Sequence, residues 1–99
     1  MPYRVRFAAS VKGQLQYLPA HRRTLVLDAI ADQLSHEPLV ETMNRKPLRP
    51  NPIAPWELRI GDLRVFYEVS LEMPDMVTIL AVGQKHGNIL RIAGEEIKL

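Results

Sequence analysis

Two arginines stand out by their spacing. Arg59 and Arg64 flank the dipeptide Gly61-Asp62, and the stretches on either side, Trp56 to Ile60 and Leu63 to Val69, alternate in the manner of half-buried strands. A glycine-first dipeptide between two such stretches suits a type II′ hairpin. A two-residue turn sets Ile60 against Leu63, Arg59 against Arg64, Leu58 against Val65 and Trp56 against Tyr67. Like charges opposed across strands cost some fraction of ~1 kcal/mol, and an anion seated between them relieves that cost. Phosphate is the natural candidate, because each guanidinium offers a planar fork of donors. The alternatives are that both arginines are solvated, or that Glu57 and Glu68 on the same face neutralise them.

A second basic group, Gln84, Lys85 and His86, follows the apolar run Met76 to Val82, with Arg91 further on. The end of a strand is where side chains reach round to the sheet face. Histidine is the residue type that titrates near neutrality, so His86 suits a general acid or base. Its other reading is an exposed loop residue between a lysine and a glycine, and Arg91 has the alternative of pairing with Glu95 or Glu96. Arg45, Lys46 and Arg49, in the proline-rich segment, form a third basic cluster, whose other reading is a solubilising loop. Arg22 and Arg23 read as a solvated helix corner. His21 and His36 bracket a helix with no carboxylate or imidazole at ligand spacing, so no metal site is expected. Trp56 and Tyr67 are expected in the core, although an aromatic beside a basic face also stacks on nucleobases. No glycine-rich phosphate loop, Ser-His-Asp arrangement or pair of carboxylates placed for hydrolysis is present, and no cofactor is expected.

The elements that must position these residues follow from periodicity. Tyr3, Val5 and Phe7 alternate with Arg4 and Arg6, which predicts a strand. Val11, Leu15 and Leu18 predict a short helix over Ala9 to Leu18, weakened by Gly13 and ended by Pro19. Val26, Ile30 and Leu34 predict a second helix over His21 to Ser35. Residues 36 to 55 hold five of the eight prolines, which forbids a helix and disfavours a central strand. That segment reads as an ordered loop with extended pieces, tied down by Leu39, Val40, Met43, Leu48 and Ile53. Met76 to Val82 reads as a strand covered on both faces and antiparallel to Leu63 to Val69. The tail from Gly83 to Leu99 is a short hairpin or an extended arm. The expected fold class is α+β: an N-terminal strand, a helical hairpin, then an antiparallel three-strand meander, forming one sheet packed on the two helices.

The 99 residues allow one domain spanning 1–99. Hydrophobic residues at 46% and charged residues at 24% describe an ordinary globular chain rather than a disordered one. A net charge of +2 does not by itself indicate nucleic-acid binding, but nine of the thirteen basic residues are arginine. Absence of cysteine excludes disulfides, cysteine-ligated metal and thiolate catalysis. The charged N-terminus lacks a signal-peptide pattern and no apolar run approaches the ~20 residues that span a bilayer, so the expected location is cytoplasmic, with no membrane partner.

The order of elements, and the segments SVKGQLQYLPAHRRTLVLDAI, WELRIGDLRVFYEV and VTILAVGQK with the basic residues after them, resembles the RelE/ParE family of bacterial toxins over about residues 3 to 86. The resemblance implies a toxin silenced by a cognate antitoxin protein. RelE-like members cleave mRNA in the ribosomal A site without a metal, ParE-like members act on DNA gyrase, and some members are inactive. Matched by position, Arg59 and Arg64 fall on the basic residues of the hairpin, and Lys85 on a basic residue after Val-Gly. Arg59 and Arg64 would hold and neutralise the scissile phosphate and Lys85 would assist, with His86 as acid or base and with Arg45, Lys46, Arg49 and Arg91 as RNA contacts. Glu57 stands where RelE-like enzymes often carry a lysine, and no tyrosine follows Tyr67, the position of the C-terminal tyrosine being occupied by Arg91. The implied function is thus a ribosome-dependent mRNA endonuclease. The alternatives are a gyrase inhibitor or degenerate relative acting by protein binding alone, and a non-toxic RNA-binding domain.

Overall fold

The structure is a computed structural model that describes residues 2–98. In chain order its elements are β1 (Arg4–Phe7), α1 (Val11–Tyr17), α2 (Ala20–Leu34), β2 (Arg45–Pro47), β3 (Trp56–Ile60), β4 (Leu63–Val69), β5 (Met76–His86), β6 (Ile89–Ile92) and β7 (Glu95–Ile97). The expected α+β architecture is present, with the two helices packed on one face of a single sheet. Three short strands, β2, β6 and β7, enlarge the expected meander into the order β2-β3-β4-β5-β6-β7, and β1 pairs with β5 in parallel. No helix of the described residues is long and apolar enough to cross a membrane.

The β3–β4 hairpin takes the register its alternation predicts, Arg59 opposite Arg64 and Trp56 opposite Tyr67. Gly61 adopts φ +59° at the first turn position, as a type II′ turn requires. One face of the hairpin joins the main core. There Val26, Ile30 and Leu34 of α2 and Val11 and Leu18 at α1 meet Leu58, Leu63, Val65, Tyr67, Val77, Ile79 and Val82. The opposite face, here termed distal, carries a smaller core of Phe66, Ala81, Ala54 and Leu90, roofed by Leu48, Ile53, Ile92 and Ile97. Helices therefore cover one side of the sheet, and the proline-rich segment and final hairpin cover the other.

Several expectations are corrected. β5 runs four residues past Val82, so Gln84, Lys85 and His86 lie within a strand paired to β6, not in a loop after it. The tail is the pair of hairpins this extension makes possible. The 36–55 segment is not held by Leu39, Val40 or Met43, which are exposed. Its anchors are polar: the buried Tyr67 hydroxyl donates to the Pro38 carbonyl at 2.6 Å, and the Arg45 guanidinium donates to the carbonyls of Gln33 and Val40. Burial pushes the Tyr67 phenol far above its usual range, so it keeps the proton that it donates here. Phe7, which alternates with Arg4 and Arg6, stays 45% exposed on β1, which pairs only with β5.

Asp62 ties the hairpin turn to the helical layer through an ion pair with Arg22 near the start of α2. Partial burial works to raise the Asp62 carboxyl, but the hydrogen bond and charge of Arg22 outweigh it and hold it below its ordinary 3.8. A carboxyl depressed in the folded state stabilises at pH above its unfolded value, and that contribution is lost as pH falls through the folded value. Thermal melts should therefore show Asp62→Asn less stable than the parent at neutral pH. The gap should close as acid is added below about pH 4; a gap that does not change with pH would disprove this role. The β6–β7 turn gives a second test. Ala93 sits at φ +50° ahead of Gly94 at φ +80°, the type I′ combination that alanine tolerates poorly. Ala93→Asn should stabilise the fold by about 1 kcal/mol, raising Tm by several degrees. An unchanged or lower Tm would show that the turn is not strained.

Candidate nucleic-acid interface

Strand parity decides which basic residues share a surface, because successive side chains point to opposite faces. Arg59 and Arg64 face each other, Arg64 is opposite Gly83, and Lys85 follows two residues later on β5, so all three lie on the distal face. Lys46 of β2 is opposite Glu57, which puts it on that face as well. His86 is one residue on from Lys85 and belongs to the helical side, where its imidazole lies 3.7 Å from the Asp62 carboxylate. Arg91, paired with Gln84 and Glu96, is exposed on that same side. The expected grouping of His86 and Arg91 with the two hairpin arginines is thus replaced by a division across the sheet.

The arginines differ in what holds them. Glu57, only 2% exposed, lies on the distal face and accepts the Arg59 Nε–H at 2.9 Å; its other carboxylate oxygen is 3.8 Å from Arg64 Nε. The space expected to take an external anion is occupied by this carboxylate. Arg64 reaches back along the hairpin and donates to the carbonyls of Gly61 and Leu63, which leaves its side chain 13% exposed. Arg45, expected to contact RNA, is buried and bonded to backbone carbonyls, because its position opposite Leu58 turns it toward the helices. Arg59 keeps its terminal fork in solvent, with the side chain 41% exposed.

Arg59, Lys85 and Arg49 line one surface pocket of about 600 Å³, together with Pro47, Leu48, Pro50 and Asn51. Arg49 arrives there because Asn51 shapes its loop. The Asn51 amide donates to the carbonyls of Arg49 and Ala54, and its oxygen accepts the N–H groups of Ile53 and Ala54. Sequence reasoning missed this asparagine; its signal is an Asx-turn residue set between two prolines, Pro50 and Pro52. A pocket with three cations from three segments fits an extended anionic backbone better than a single small anion. Among the described residues no group of His, Asp and Glu is placed to hold a metal ion.

No family model and no curated protein sequence matches the chain. Solved structures do. A chain of the toxin–antitoxin complex RelBE2 from Mycobacterium tuberculosis superposes with a TM-score of 0.72 at 32% identity, covering 86% of this chain and 100% of that one. A chain of the archaeal RelE–RelB complex from Pyrococcus horikoshii gives a TM-score of 0.66 at 29% identity, over 88% of this chain and 98% of that one. With 32% identity across the full length of the mycobacterial chain and the same two-layer arrangement of hairpin helices on a sheet, the protein belongs to the RelE toxin family.

Proposed function

We propose that this RelE-family chain is the toxin of a toxin–antitoxin pair, and that it cleaves mRNA on the ribosome through the distal-face pocket of Arg59, Lys85 and Arg49. The observation that carries the proposal is that these cations converge on one open pocket, whereas Arg22, Arg45 and Arg64 are committed to the fold. The reaction is attack of a ribose 2′-hydroxyl on the adjacent phosphorus. The phosphorus–O5′ bond breaks, leaving a 2′,3′-cyclic phosphate and a 5′-hydroxyl. Arg59 and Arg49 would hold the non-bridging oxygens as charge builds on them, the kind of electrostatic stabilisation that dominates such reactions. The Lys85 ammonium would protonate the leaving O5′, and the hydroxyl proton would pass to water. His86, on the other side of the sheet, takes no part. The antitoxin is the partner expected from the complexes in which the structural neighbours occur.

A pocket built from cations, with the buried Glu57 carboxylate behind it, also accommodates a purely binding toxin such as a gyrase inhibitor. Mapping of cellular mRNA 5′ ends after brief expression separates the two. The parent should produce new cuts within translated regions, and Arg59→Ala and Lys85→Ala should each reduce them by about 100-fold or more. His86→Ala should leave them within severalfold of the parent. Growth arrest without cuts, together with inhibited supercoiling by purified gyrase, would replace the nuclease with the binding mode.

A further inference from the structure

The Glu57 carboxylate is buried on the distal face and has no place in the proposed cleavage. Removing a carboxylate from water is costly unless charged partners and hydrogen bonds compensate. Its immediate surroundings are cationic: Arg59 Nε–H at 2.9 Å, Arg64 Nε at 3.8 Å, and Lys46 directly opposite on β2. The two arginines it touches have different fates. Arg64 is fixed independently by the carbonyls of Gly61 and Leu63. Arg59 makes no other side-chain hydrogen bond among the described residues, so Glu57 alone determines where its guanidinium points. Holding Arg59 by Nε leaves the four N–H groups of its two terminal nitrogens free as a fork, and Arg59 lines the same pocket as Arg49 and Lys85.

We infer that Glu57 is a positioning residue: it clamps the inner edge of the Arg59 guanidinium so that the outer fork is presented, preorganised, to a phosphodiester in the distal pocket. The inference rests on the reading of that pocket as the RNA site. It also gives a role to a carboxylate that would otherwise only repel phosphate. Its negative charge is buried among the cations, and one of its oxygens accepts the Arg59 Nε–H while the other lies 3.8 Å from Arg64 Nε. A lysine at this position would add attraction but would leave Arg59 without an anchor. An arginine held in one geometry loses less rotamer freedom on meeting its ligand than a free one does.

The test is a double-mutant cycle read by binding, which does not depend on cleavage. The probe is a short single-stranded RNA with every ribose 2′-O-methylated, and the ligand-binding proteins are the parent, Arg59→Ala, Glu57→Met and the double variant. Glu57→Met keeps the length of the side chain and removes both acceptors. Arg59→Ala should weaken probe binding about tenfold in the parent background, and less than about twofold once Glu57 is methionine, because an unclamped Arg59 has little left to lose. Equal losses in both backgrounds would overturn the positioning role while leaving the pocket as the RNA site. No loss from Arg59→Ala in the parent would overturn the pocket assignment itself, and the role of Glu57 with it. If Glu57→Met does not fold, Glu57→Gln replaces it in the same cycle. Glutamine retains one acceptor, so an intermediate Arg59 effect supports the clamp and an undiminished one overturns it.

Discussion

The outer edge of β5 must satisfy the backbone polar groups of a strand 11 residues long, and no single neighbour does so. β1 takes the first part in parallel, from Met76 to Ile79, and the Ala8 N–H adds one more bond to Ile79. β6 takes the last part, from Gln84 to His86. Between them the Gln14 side chain of α1 accepts the Val82 N–H at 2.9 Å. A buried amide left unmet there would cost about 1–3 kcal/mol. The bond therefore does more than complete a ladder, since it sets the height at which α1 lies on the sheet. At the same point the β4–β5 register shifts between Phe66 and Tyr67, so that Leu80 and Ala81 both serve the distal core before Val82 returns to the main one. Gly83 follows, and only glycine fits: a Cβ there would stand 2.5 Å from the Arg91 carbonyl of β6.

Where sequence pattern and local pairing agree, the fold was legible residue by residue. β3, β4 and the facing of Arg59 with Arg64 follow from alternation and a glycine-first turn. The second half of β5 was hidden, because Gly83, Gln84 and Lys85 have the composition of a loop, and they are extended only because β6 returns to pair with them. That one misjudged boundary also misplaced the site. Once Lys85 and His86 are successive residues of a strand, they cannot share a face. β2 was hidden for a different reason, being three residues that end in Pro47, acceptable only at a sheet edge.

The basic residues divide by depth, not by type. Arg22, Arg23, Arg45 and Arg64 bond to backbone carbonyls or to Asp62 and join turns and helix ends to one another. Arg49, Arg59 and Lys85 reach a common pocket. Spacing could identify both sets as cationic but could not separate them. The separation depends on how far each guanidinium reaches and which carbonyl it meets, which are properties of the packed chain. The same holds for Glu57, whose choice between solvent and the arginines depends on the packed chain that buries it beside them.

The parallel pairing of β1 with β5 joins residues 72 positions apart, Arg6 to Thr78 among them. During synthesis from the N-terminus, β1 and the helical hairpin emerge long before the strand they are to be matched with. They have nothing to close against until β4 and β5 have left the ribosomal exit tunnel. Such distant contacts slow folding, since the entropy of a long loop is lost before the pairing compensates it. Lys85 lies near the end of β5, so the basic pocket forms only in the last stage of this closure. The pocket is therefore absent for most of the chain's elongation, and the same late step that completes the sheet also brings its three cations together.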